Sequence, residues 1–326
     1  MKINYVQQIN IDLIEKSDID YLICATGYEQ RASYLADYFR SKRIKRKICL
    51  AFSDRKVLSR NENDYFFKKN EFDIIDISKI KTDDNIKIED YAKKFGEIFM
   101  SEKRDKISIL FDYSSMNTLM YASIIKYFKD YNSYINNLSL YFSYTQAQYP
   151  EPKQIKSLKF NHPIPIFDPI QTTEKKIALI IGLGYEENKA LGLYEYFQND
   201  KKDIYLFITG DEKSNKYYCD VKRNNENLIK IVNPNNIIYY DIENISPLLS
   251  TLDVLTNYLL KKGYRVVITP TGPKVFSLAA LFINLLHEDI TIYRLSDGNR
   301  GEPIQKYRDK TKNFIIIHLN MVKSDK

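Results

Sequence analysis

Two kinds of loop hold the residues with chemical potential, and each occurs twice. The first is Thr26-Gly27-Tyr28-Glu29, matched by Leu183-Gly184-Tyr185-Glu186, with Gly182 adding a further glycine to the later copy. Glycine directly after an apolar run permits a tight turn and a close approach of backbone to a ligand. A helix that opens behind such a turn presents free N–H groups and a positive dipole end, which suit phosphate. Tyr28 and Tyr185 can stack on a base. Glu29 and Glu186 can accept from a base edge or a ribose hydroxyl, or serve as first-turn acids that complement the helix dipole. Arg31 reads either as a phosphate ligand or as a solvated helix-face cation; the second copy has Asn188 and Lys189 there.

The second loop is Asp112-Tyr113-Ser114-Ser115-Met116-Asn117, matched by Thr269-Pro270-Thr271-Gly272-Pro273-Lys274. Its hydroxyls can cap the following helix or donate to phosphate or ribose. Lys274 opens an apolar helix, where a cation opposes the dipole and an anion in the loop would relieve it. Asn117 holds the equivalent place without charge. A third pair of loops, Ser143 to Gln148 and Asp297-Gly298-Asn299-Arg300, follows the fifth strand of each half, with Arg300 a candidate phosphate contact. Should the chain be an enzyme, Asp112, Glu29 or Glu186 would carry acid–base work, since no loop contains His and no base neighbours Ser114 or Ser115 in sequence.

These loops need strands to end on and helices to open. Gly27 and Gly184 lie 157 residues apart (184 − 27), and Asp112 and Thr269 keep the same interval (269 − 112). Two unlike loops sharing one interval imply a duplication. In the first half, apolar strands are expected at Tyr21–Ala25, Lys47–Phe52, Phe72–Ile77, Ile107–Phe111 and Leu138–Phe142, and helices at Tyr28–Phe39, Tyr91–Met100 and Asn117–Phe128. The second half repeats the order with strands at Ile177–Ile181, Ile204–Thr209, Ile237–Tyr240, Arg265–Ile268 and Ile290–Tyr293, and an extra one at Phe314–Leu319. Alternation of apolar strands and helices predicts an α/β chain of two tandem Rossmann-like domains, each a parallel sheet flanked by helices. The expected domains are 1–150 and 151–326, with a proline-rich linker at Tyr149–Lys175 and a ligand cleft between the two carboxyl edges.

At 326 residues the chain is long enough for two cores. A net charge of +7 and a pI near 8.9 favour anionic ligands mildly. The abundance of Lys, Ile, Asn and Tyr also matches an AT-rich coding sequence. Cys24, Cys49 and Cys219 form no CxxC, and His162, His287 and His318 are far apart, so neither a disulfide framework, a metal site nor a His-based triad is expected. No GxGxxG or P-loop pattern occurs, and no cofactor is expected. The basic run Arg40 to Lys47 reads as a helix C-terminus and exposed turn, so direct DNA or RNA binding is not expected. With neither an apolar leader nor a membrane-length apolar run, a cytoplasmic location is expected.

The segment ITPTGPKVFSLAA, Ile268 to Ala280, resembles the CARF domain, in which a strand, a TG(G)TK-like turn and an apolar helix follow an earlier glycine loop. Thr271, Gly272 and Lys274 match that motif; Pro273 replaces its second glycine, and the first half has Ser-Ser-Met-Asn instead. The resemblance implies a Rossmann-like sensor of cyclic oligoadenylates. Two such units in one chain resemble the SAVED arrangement of cyclic-oligonucleotide antiviral systems, although no fused effector is visible. The expected ligand contacts are Thr26, Gly27, Tyr28, Arg31, Ser114, Ser115 and Asn117 in one half, and Gly182, Gly184, Tyr185, Thr271, Gly272, Lys274 and Arg300 in the other. A nucleotide-processing enzyme (ring nuclease, hydrolase or glycosyl-transfer type) and an interaction module for an effector protein remain as alternatives.

Overall fold

The computed structural model of the chain describes residues 1–51, 56–77, 88–130, 135–149, 163–169, 174–197, 202–210, 216–295 and 305–323. Two compact units emerge: Met1–Pro150 with Arg300–Lys326, and Glu151–Asn299.

The first unit runs β1 (Lys2–Ile9), α1 (Ile11–Lys16), β2 (Tyr21–Thr26), α2 (Tyr34–Tyr38), β3 (Arg46–Ala51), α3 (Arg60–Lys69), β4 (Asp73–Asp76), α4 (Ile88–Phe99), β5 (Lys106–Asp112), α5 (Thr118–Asp130) and β6 (Asn137–Tyr144). The second runs β7 (Pro163–Phe167), β8 (Ile177–Gly182), α6 (Lys189–Tyr196), β9 (Lys202–Thr209), α7 (Lys216–Asn224), α8 (Glu226–Ile231), β10 (Ile237–Tyr240), α9 (Ile245–Lys261), β11 (Arg265–Pro270), α10 (Lys274–Leu286) and β12 (Thr291–Leu295). A last strand, β13 (Ile315–Val322), belongs to the first unit.

Both sheets place their strands in one order. The first reads β4-β3-β2-β5-β6, all parallel, extended by antiparallel β13 and β1; the second reads β10-β9-β8-β11-β12, also parallel, extended by antiparallel β7. This is the doubly wound Rossmann order, with the topological switch point between β2 and β5 and between β8 and β11. The central strands follow from their composition. YLICAT and IALIIG are buried at every position, as strands covered on both faces must be. Apolar α5 and α10 pack behind the switch points and are buried around most of their circumference. Cys24 and Cys49 stand side by side on β2 and β3; burial pushes both thiols up, so they are inert core groups.

Three expectations are corrected. The strand at Phe314–Leu319, expected in the second unit, is β13 of the first sheet. It pairs with β6 from Ile315↔Tyr144 to Val322↔Asn137 and with β1 on its other side, burying Ile316, Ile317 and Leu319 completely. The second domain expected over 151–326 thus gives up its end to the first unit. The proline-rich segment is not linker throughout: Pro163–Phe167 forms β7, an edge strand, where a missing N–H interrupts no interior ladder. The single helix expected over Tyr28–Phe39 is a 3-10 turn at Gln30–Ser33 followed by the short α2, and the tighter turn carries Arg31 inward.

Candidate functional site

At the first switch point the loops after β2 and β5 touch. A Cβ built on Gly27 would stand 3.1 Å from the Cβ of Ser115. Asp112, at the end of β5, is buried and accepts the Ser114 amide on Oδ1 at 3.0 Å. Ser114 in turn accepts the Thr145 amide on its Oγ at 2.8 Å, tying the β5 loop to the end of β6. Asn117 accepts the Met120 amide at 3.0 Å, capping α5. The hydroxyls of Ser115, Ser143 and Thr145 are buried and find no hydrogen-bond partner among the described residues. Buried hydroxyls are costly to leave unmatched.

Arg31 lies beneath this edge at 1% exposure. Its Nε donates to Glu29 Oε2 at 2.7 Å, Nη1 to the Thr145 carbonyl at 2.5 Å and Nη2 to the Ser114 carbonyl at 3.4 Å, while the guanidinium lies 5.2 Å from the Tyr144 ring centre. Glu29 takes a second cation, Lys306 Nζ, on Oε1 at 3.1 Å. Burial would lower the Arg31 guanidinium, but Tyr144 and Glu29 outweigh it and hold its pKa above the usual arginine value. Lys306 behaves alike: burial lowers it, Glu29 raises it, and the balance is upward. Lys306 sits in a strap laid along the loop after β6. Gln148 donates its amide to the Tyr307 carbonyl, Asp309 its amide to the Gln146 carbonyl, and Arg308 stacks 3.6 Å over the Tyr34 ring. The first of the loops expected after the fifth strands is thus occupied by the chain itself.

At the second switch point the contact is backbone on backbone. A Cβ on Gly184 would fall 2.3 Å from the Thr271 carbonyl oxygen, and one on Gly272 2.4 Å from that of Leu183. Thr271 donates both its amide, at 2.9 Å, and its hydroxyl, at 2.7 Å, to the Gly182 carbonyl. Gly182 has no room for a side chain because the Phe276 ring of α10 lies over it, 2.3 Å from a built Cβ. These glycines let loop meet loop. Tyr185 is half-buried against Tyr217, Glu186 pairs with Lys189 at 2.7 Å, and half-buried Lys274 begins α10. Arg300 lies outside the described residues.

A pair of asparagines not anticipated from the sequence anchors both glycine loops. Asn63 of α3 donates from Nδ2 to the Gly27 and Glu29 carbonyls at 2.8 and 2.9 Å; Asn225, at the start of α8, donates to the Gly184 carbonyl at 2.9 Å. Both are buried. The stretches RNEND (60–64) and RNNEN (223–227), each following the third strand of its unit, β3 and β9, were the available signal. Among the described residues no group of His, Cys, Asp and Glu is placed to hold a metal, and no helix is long and apolar enough to cross a membrane.

No protein-family model and no curated protein sequence matches the chain. Among solved structures, a protein assigned as a universal stress protein from Pseudomonas aeruginosa UCBPP-PA14 aligns over 86% of this chain and 94% of its own, at 10% identity and a TM-score of 0.27. A keto acid-selecting NRPS module with adenylation and ketoreductase domains aligns over 82% and 27% respectively, at 10% identity and a TM-score of 0.21. An N-terminal ketoreductase of the macrolactin assembly line aligns over 88% and 72%, at 11% identity and a TM-score of 0.20. The assignment of two α/β Rossmann-like units rests on the strand orders themselves.

Proposed function

We propose that the chain is a nucleotide-binding sensor whose ligand, a cyclic oligonucleotide of antiviral defence, is read by the paired switch-point loops. The observation that supports this reading is the repetition of one device. In each unit a glycine loop and a hydroxyl-bearing loop meet at the carboxyl edge of the sheet, held from behind by a buried asparagine. Carboxyl edges at a switch point are where open α/β sheets take ligands. In the first unit the unmatched hydroxyls of Ser115, Ser143 and Thr145 supply donors beside that edge. In the second, Thr271 and Lys274 carry the motif that resembles the CARF domain.

The roles within the site divide. Arg31 has its guanidinium engaged by Glu29, Thr145 and Ser114, so it positions the loops. The same engagement weighs against turnover by the candidate acids: Glu29 holds two cations, Glu186 holds Lys189 and Asp112 holds a backbone amide. Binding is therefore favoured over catalysis, and an effector protein is the natural recipient of the signal.

Thermal unfolding of the full chain against a panel of cyclic oligonucleotides tests the reading. Ligand at a hundredfold excess over Kd stabilises by about 2.7 kcal/mol, which for a chain of this size raises Tm by roughly 4 °C. Thr271→Val and Ser115→Ala should each reduce the shift. An unchanged Tm with every cyclic oligonucleotide overturns the proposal.

A further inference from the structure

A cleft of about 290 Å³ opens at the carboxyl ends of β2, β3 and β4, to one side of the first switch point. Thr26, Ala51 and Asp76, the last residues of those strands, all line it. The apolar surface it offers comes from Ala51 and the exposed Ile74, with Phe67 of α3 fully buried behind them. Its polar part is already ordered. Arg60, 4% exposed, donates from Nε to Asp64 Oδ1 at 2.8 Å, and Thr26 donates its hydroxyl to the same oxygen at 2.5 Å. With Arg60 and Asp64 neutralising each other, the other charges of the lining are Lys56, Lys68 and Asp76, all three exposed, and the sum is net positive. The second unit builds the same strand ends differently. Tyr218 packs 2.9 Å from a Cβ built on Gly210 after β9, and the buried Tyr240 ends β10 against Phe276, ring centres 5.8 Å apart.

We infer that this first-unit cleft binds a single 5′-mononucleotide. Lys56 and Lys68 take the phosphate, Asp76 accepts from a ribose hydroxyl, and the base lies on the Ala51 and Ile74 side. The chemistry follows from the lining: two exposed cations for a dianion, one carboxylate at a strand end for a diol, and the apolar surface of Ala51 and Ile74 for a flat ring. The volume sets the size. It stands at the lower end of ligand pockets, roughly 300 Å³, which suits one nucleotide and not a ring of several. The site is separate from the paired loops, sharing only Thr26 with them, and does not rest on the cyclic-oligonucleotide reading.

Calorimetric titration of the full chain with the four 5′-ribomononucleotides, with inorganic phosphate and with 2′-deoxy-AMP tests it. At least one ribomononucleotide should bind, and more tightly than phosphate alone. The double variant Lys56→Glu, Lys68→Glu, confined to exposed side chains, should weaken that binding by at least about tenfold. Asp76→Asn should narrow the preference for AMP over 2′-deoxy-AMP. Thr271→Val, in the other unit, should leave mononucleotide binding unchanged while altering any response to cyclic oligonucleotides, so the two proposals fail separately. The inference is overturned by any of three results: no heat with any ribomononucleotide, phosphate binding as tightly as the nucleotide, or affinity indifferent to the lysine reversals.

Discussion

Asn225 donates its side-chain amide to the carbonyl of Gly184 at 2.9 Å, and Asn63 does the same for Gly27 at 2.8 Å. One buried amide thus fixes each glycine loop from behind. Replacing either by Leu, close in size but without donors, leaves the loop carbonyl unmatched. The expected loss is about 1–3 kcal/mol per site, read as a lower urea midpoint. A midpoint unchanged in both variants would show that the loops hold themselves.

The two switch points differ in how much room they leave. Gly184→Ala drives a methyl into the Thr271 backbone, 2.3 Å away, whereas Gly27→Ala meets only the Ser115 side chain at 3.1 Å. Backbone cannot yield as a serine can. Gly184→Ala should cost about 2–3 kcal/mol and Gly27→Ala well under that. Equal costs in a denaturation series would contradict the loop packing described.

Glu29 balances two cations, and removing its charge strands both. Glu29→Gln is expected to destabilise the first unit by about 3–5 kcal/mol, as breaking a buried ion pair does. Lys306→Gln, at the more exposed end, should cost far less because Arg31 still satisfies the carboxylate. Comparison of the two melting temperatures checks the order.

His318 of β13 lies under Tyr5 and stacked on Tyr141, with ring centres 4.2 Å apart in the latter pair. Burial pushes its imidazole down to about 4. The unfolded chain therefore binds the proton first, and stability falls as pH drops from about 6.5 towards 4. The loss reaches roughly 3 kcal/mol at the lower end. Glu102 acts in a lower window: Arg104 holds its carboxyl at about 2, so its contribution persists above its ordinary range and fades as pH approaches 2. His318→Phe should flatten the stability profile between pH 4 and 6.5 without changing it below. A slope unaltered by that substitution would assign the acid sensitivity elsewhere.

What was legible in the sequence is what local pattern determines. Continuous apolar runs such as Tyr21–Ala25 and Ile177–Ile181 can only be central strands, and the 157-residue interval carried the duplication through to two matching sheet orders. The partner of a strand is not a local property. Phe314–Leu319 reads as a strand wherever it docks, and nothing in it names β6 and β1. Arg31 looks like a surface cation because the Thr145 and Ser114 carbonyls that receive its guanidinium inside the fold lie far off in sequence. Asn63 and Asn225 were hidden by composition, since asparagine is common throughout this chain. The cleft beside β3 and β4 was missed for another reason: its lining comes from three strand ends and the face of α3, which no motif unites.

Strand β13 also dictates the order in which the molecule can be assembled. It fills an interior place in the first sheet, yet Ile315 arrives 171 residues after Tyr144 ends β6 (315 − 144). Until then β6 and β1 each present an open edge, the condition that invites mispairing. A growing chain must therefore finish synthesising the second unit before the first can close, and long-range pairing of this kind is slow. The half of the protein made first is the half completed last.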